Sequence, residues 1–167
     1  MQLDGLDGPR PEGPQLPVED LAVYEAHGGH TLRRHVGLGR DDNVRRIAEG
    51  AAATGCFVDQ PTAQRAVEAS IHRHRDDIAA WLWGAARQLP YSFVEDLKTV
   101  VGTMLTRDEV SAGITQPSPV TAVRVVLRPS DKLAAGFTLV TAYPTRVRRP
   151  TPQRAARPRR APAGVQA

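Results

Sequence analysis

The sequence predicts an α+β domain in which N-terminal helices are followed by an antiparallel sheet. Up to Pro90 apolar residues recur at spacings of three and four, and beyond it the apolar runs turn β-branched and partly alternating. A length of 167 residues with 41% hydrophobic content suits one domain with a real core. The single cysteine, Cys56, leaves that core without disulfide staples and excludes a multi-cysteine zinc site. No apolar run approaches the length of a membrane span.

Taken in order, Glu19 to His27 places Leu21 and Tyr24 on one side of a short helix, closed by Gly28-Gly29. His30 to Val36 reads as a second short helical turn. Asp41 to Glu49 opens on carboxylates suited to a cap and first turn. It carries Val44, Ile47 and Ala48 at helical spacing and closes on Gly50. Gly55 to Val58 is a short apolar strand. Asp59 to Thr62 then opens the longest helix, expected from Ala63 to Leu89 with Gly84 as an early breaking point. Strands are expected at Leu97–Leu105, Val120–Arg128 and Gly136–Tyr143, the last two joined by a reversal from Pro129 to Ala135. In the last strand, alternation is expected to put Phe137, Leu139, Thr141 and Tyr143 on one face.

The net charge of +4 divides unevenly. From residue 145 onward there are seven arginines and no acid, which leaves 15 basic against 18 acidic residues in the rest. Within that remainder, the stretch after residue 20 is about neutral. Residues 1–17, rich in Pro and Gly, read as a flexible linker with no secretory-signal pattern. Residues 18–145 form the domain. Residues 146–167 read as an Arg/Pro-rich disordered tail that cannot bury enough apolar surface to offset its ordering entropy.

Three of the five histidines, His27, His30 and His35, fall within nine residues. Imidazole clusters suit zinc, but Gly28-Gly29 interrupts the helix that would align His27 with His30, and no cysteine partner exists. Acid–base chemistry is the other use of such histidines, because imidazole titrates near neutrality. His72 and His74, two apart on a helix face among charged neighbours, read as structural or merely exposed.

The string Leu21-Ala22-Val23-Tyr24-Glu25-Ala26-His27-Gly28-Gly29-His30-Thr31-Leu32-Arg33-Arg34-His35-Val36-Gly37 resembles the opening motif of a bacterial toxin family. This is the RNase A-like C-terminal toxin domain of contact-dependent growth inhibition (CDI) and related polymorphic toxin systems. Three later segments agree in order: a helix carrying Arg46, the Phe57-Val58-Asp59 strand leading to a helix with Trp81-Leu82, and closing strands ending in Thr141-Ala142-Tyr143-Pro144. The resemblance spans roughly Pro17 to Thr145.

It implies an RNase A-like fold and metal-independent cleavage of RNA, in which the 2′-hydroxyl attacks its own phosphate, with no cofactor and no metal. His35, Arg46, Thr141 and Tyr143 match the family's catalytic set. In that set His35 is an acid or base, Arg46 braces phosphorane charge, and Thr141 and Tyr143 contact phosphate or nucleoside. His30 is either a further acid–base partner or a backbone support for the Gly-Gly turn. The resemblance also implies a cognate immunity protein as partner, a monomer without membrane insertion, delivery by a larger secreted carrier, and action in a target cell's cytoplasm. Vertebrate-type two-histidine-plus-lysine chemistry does not transfer. The last strand has no histidine, and Lys98 and Lys132, the only lysines, lie away from the motifs. The rival readings are a non-catalytic RNA-binding module using the basic tail and, behind it, a metal-dependent hydrolase built on the histidine cluster.

Overall fold

The computed structural model describes residues 16–147; the Arg/Pro tail from residue 148 and the linker up to residue 15 lie outside them. Three short helices come first. In α1 (Leu21–Ala26), Asp20 accepts a hydrogen bond from the Ala22 N–H at 2.8 Å, and Leu21 and Tyr24 are fully buried. The next helix, α2, runs from Thr31 to His35. In α3 (Arg40–Ala48), Asp42 accepts from the Gly39 N–H at 3.1 Å, and Ile47 packs inward. Gly50 follows with φ +112°, a conformation that favours glycine.

Strand β1 (Ala53–Phe57) leads through the Asp59 cap to α4 (Gln60–Arg73), where Asp59 accepts from the Thr62 N–H at 2.7 Å. The long helix expected here is two helices. It breaks at His74, and α5 (Arg75–Trp83) stops at Gly84 before a 3₁₀ turn, Ala85–Gln88. A tertiary contact sits at the break: the His74 ring stacks on Phe93 with centroids 4.0 Å apart, and its Nε2 lies 3.1 Å from Glu95.

Five more strands follow: β2 (Tyr91–Asp96), β3 (Gly102–Thr106), β4 (Ser118–Val120), β5 (Ala122–Pro129) and β6 (Phe137–Thr145). Helix α6 (Arg107–Ser111) stands between β3 and β4, with Thr106 and Glu109 forming a reciprocal cap. The strand expected at Leu97–Leu105 starts only at Gly102. The segment before it belongs to a turn in which Lys98 has φ +61°, and the preceding pairing segment is β2. The strands form two three-stranded antiparallel sheets, ordered β1-β3-β4 and β2-β5-β6. The core lies between α4, α5 and the second sheet, where Val67, Ile71 and Ile78 meet Val123, Val125, Leu127, Phe137 and Leu139. Cys56 is a buried free thiol.

Strand β6 departs from simple alternation. Its register on β5 passes from Thr141 opposite Val126 to Leu139 opposite Leu127, so Val140 is a bulged extra residue. Phe137, Leu139 and Ala142 therefore face the core, and Thr141 and Tyr143 turn to the other side of the sheet. The expectation that all four odd positions share a face is corrected by this one inserted residue. Among the described residues no helix is long and apolar enough to cross a membrane.

Candidate active site

Sheet packing fixes where His35 stands. It is the last residue of α2, and the next residue, Val36, forms a parallel bridge to Phe57 of β1. That places the imidazole beside Gly55, whose carbonyl lies 2.8 Å from Nδ1. A carbonyl only accepts, so Nδ1 donates and Nε2 keeps its lone pair. Gly55 itself cannot be larger, because a Cβ there would run into the Pro144 carbonyl of β6. His35 is only 8% exposed. Burial, reinforced by the positive charges of Arg46 and Arg34 and by His30, lowers its pKa to about 4 against the opposing pull of the Gly55 carbonyl. The ring is therefore neutral at physiological pH.

Tyr143 lies beside His35 in the wall of a cleft of about 730 Å³, their ring centroids 5.0 Å apart and tilted by 30°. Thr141 shares Tyr143's side of β6, since the two alternate past the bulge. It is buried, with no partner for Oγ1 among the described residues, and it does not line the cleft. Arg46 does not line the cleft and lies in a separate hollow with Arg33, Arg34 and Arg45. Its guanidinium donates to the Arg34 carbonyl at 2.8 Å. The structure thus brings His35 and Tyr143 into one cleft, which neither Thr141 nor Arg46 lines, although the Arg46 charge is near enough to act on His35.

His30 has a different placement. Its ring centroid is 6.3 Å from that of His35, outside the cleft, and its pKa is lowered by burial and by Arg34 and Arg33. Its backbone N–H donates to the carbonyl of the bulged Val140 at 3.0 Å. The neighbouring Thr31 accepts from the Ala142 N–H at 2.9 Å, and a Cβ on Gly29 would lie 2.6 Å from the Leu139 carbonyl oxygen. The Gly-Gly-His-Thr string is therefore a backbone clamp. It holds the bulged part of β6 against α2 and so sets Tyr143 relative to His35.

A family model, described as the bacterial CdiA-CT RNAse A domain, matches residues 29–144, well over half of the chain. The chain belongs to that family. The matched segment opens on Gly29 of the clamp and closes on Pro144, one residue past Tyr143. A solved structure described as a CdiA-CT/CdiI complex from Y. kristensenii 33638 shares the fold, with TM-score 0.62 and 24% identity over 70% of this chain and 99% of that one. No curated protein matches the chain.

This CDI ribonuclease-type toxin domain carries cleft residues that sequence reasoning did not single out. Arg124 of β5 lies opposite Tyr143 and lines the cleft, as do Asp96 of β2 and Arg146 just past β6. Arg146 is paired with Glu109 at 2.6 Å. Lys98, at 2.7 Å, and Thr121 hold Asp96, and their hydrogen bonds keep its carboxyl well below the usual range. A signal for Arg124 existed: a lone cation interrupts the apolar run Val123 to Leu127, at the parity that leaves the core. Among the described residues no group of three or more His, Cys, Asp or Glu side chains is placed to hold a metal ion. His27, for one, turns its Nδ1 back to the Val23 carbonyl at 2.9 Å.

Proposed function

We propose that this chain is a metal-independent endoribonuclease toxin that cleaves RNA by attack of the 2′-hydroxyl on its own phosphate. The observation that carries this reading is His35, held in one tautomer by the Gly55 carbonyl and lying beside Tyr143. Its unprotonated Nε2 takes the 2′-hydroxyl proton as the 2′-O–P bond forms. The Tyr143 phenol gives its proton to the departing 5′-oxygen as the P–O5′ bond breaks. The products are a 2′,3′-cyclic phosphate and a 5′-hydroxyl end. Arg46 is permanently charged and retains free N–H donors beyond the one on Arg34, which suits it to brace the phosphorane. Thr141 is buried outside the cleft with its hydroxyl unpartnered, and no substrate contact is assigned to it.

Membership of a CDI toxin family supports use in competition between bacteria, with a larger carrier delivering the domain into a target cell. The CdiA-CT/CdiI complex with the same fold supports a cognate immunity protein as partner of this chain too. In this reading the domain acts as a monomer on RNA in the target cytoplasm, and the immunity protein covers the His35 cleft in the producing cell.

The test incubates the purified chain with total RNA in the presence of a chelator, beside a His35→Ala variant. Cleavage leaving cyclic phosphate ends, reduced roughly 10²–10⁴-fold by the substitution, is expected. Equal cleavage by the folded variant, or loss of the parent's cleavage in chelator, would overturn the reading. Salt-sensitive RNA binding without cleavage, lost on deleting residues 146–167, would instead favour the binding module.

A further inference from the structure

We infer that Arg124 anchors the RNA phosphate next to the scissile one, which gives the cleft a second phosphate subsite. This inference rests on the ribonuclease reading above and deepens it. The first observation is charge balance. Three ionic side chains besides His35 line the cleft, and two of them are already compensated: Asp96 by Lys98 and Arg146 by Glu109. Arg124 has no carboxylate at salt-bridge distance among the described residues. Its one hydrogen-bonding partner is the neutral Ser92 hydroxyl at 3.0 Å. A half-buried guanidinium with a neutral partner is a cation prepared for an anion from outside.

The second observation is direction. Arg124 sits on β5 opposite Tyr143 of β6, on the face that carries the site. Ser92 belongs to β2, on the far side of β5, so the Ser92 bond draws the guanidinium away from Tyr143. Neighbouring strands are about 4.8 Å apart, and this lean sets the charge toward the β2 side of β5, the side away from β6. A phosphate held at the His35–Tyr143 pair would thus lie on the β6 side of the Arg124 guanidinium, which is left for a neighbouring phosphate of the same RNA. Ser92 keeps the long side chain in place before substrate arrives, which lowers the entropy lost on binding.

The chemistry this subsite would recognise is a single-stranded RNA with at least two consecutive phosphates. The experiment compares a dinucleoside monophosphate, which has only the scissile phosphate, with the same dinucleotide extended by one nucleotide at either end. The parent should cleave one extended substrate with the higher kcat/KM. Arg124→Ala should lose about tenfold on that substrate, mostly in KM, and under threefold on the minimal one. Arg124→Lys should recover part of the loss, since it restores a point charge without the fork.

Equal losses on both substrates would overturn the inference by placing Arg124 on the scissile phosphate, and no loss on either would overturn it outright. A second readout does not need cleavage. It is the salt dependence of binding to a 2′-deoxy oligonucleotide, where Arg124→Ala should flatten the slope by about 0.7. A parent that binds but cleaves nothing sinks the ribonuclease reading alone. An unchanged slope sinks the subsite alone.

Discussion

The two halves of β6 lie on one strand and do opposite work. Before Val140, Phe137 and Leu139 are fully buried against Leu127 and the α4–α5 layer. After it, Thr141 and Tyr143 turn to the opposite side, where Tyr143 keeps partial exposure in the cleft and Thr141 keeps a hydroxyl without a partner. One bulged residue separates them, and the His30 N–H pins its carbonyl. The first half serves the core through its apolar side chains, although the Thr138 hydroxyl there is buried without a partner, as the Thr141 hydroxyl is in the second half. The second half differs in turning Tyr143 into the cleft. Stability and chemistry should therefore respond to different substitutions a few residues apart.

The largest effect tests the chemical side. His35→Ala should lower RNA cleavage roughly 10²–10⁴-fold while the chain still unfolds cooperatively. Cyclic-phosphate yield and a urea titration on the same sample separate lost chemistry from lost fold. On the stability side, Leu139→Ala should cost about 2–5 kcal/mol in the urea titration, because a fully buried leucine leaves a cavity when truncated. Cleavage per folded molecule should stay within a few-fold of the parent. If Leu139→Ala instead destroys cleavage at unchanged stability, the two halves of the strand are not separable.

Much of this division is visible in the residues before folding, and its limits have physical causes. The carboxylate start and glycine stop of α3, the apolar strand at Gly55 and the closing strand pair follow from local propensity and spacing, which act over a few residues. The bulge does not: Val140 looks like any β-branched strand residue, and its displacement is set by β5 and by the clamp from α2, over a hundred residues away. The break at His74 has the same character. The helix does stop at Gly84, the weaker helix former, but it also parts earlier, where His74 stacks on Phe93, a contact no helical periodicity encodes. Strand β2 is not legible from its residues, because Ser92, Glu95 and Asp96 dilute its apolar run, although Tyr91 and Phe93 alternate. As for the candidate site, His35, Arg46, Thr141 and Tyr143 were reached through the family motif. Arg124 was not, since its relevance depends on which strand pairs beside β6.

A third test uses the coupling between the cleft and the fold. His35 has a pKa of about 4 in the folded chain, against 6.5 for an unperturbed imidazole. The unfolded chain therefore binds more protons between those values. The contribution is fully present above pH 6.5 and is lost as pH falls toward 4. A shift of this size corresponds to something on the order of 3 kcal/mol. Urea midpoints at pH 7.5 and pH 5 should diverge for the parent, and His35→Ala should remove most of the difference. The acidic limb of kcat/KM should likewise sit well below pH 6.5, so cleavage that collapses between pH 7 and 6 would contradict a base of such low affinity for protons.

The smallest effect probes the seam itself. Thr31 accepts from the Ala142 N–H at 2.9 Å, and both groups are buried. Thr31→Val keeps the shape but removes the acceptor, leaving that N–H unpaired at a cost of about 1–3 kcal/mol. Because the bond lies between Thr141 and Tyr143 in the chain, the loss should loosen the cleft half of β6 more than the core half. Amide exchange should quicken at Ala142 and Tyr143 and stay slow at Leu139, with a modest fall in kcat. Thr31→Ser retains the hydroxyl and should behave like the parent. If serine and valine lose equally, the methyl group's packing holds the strand and the clamp is apolar. If Leu139 exchanges as fast as Tyr143, β6 opens as one piece, and the bulge separates the two faces without separating their stability.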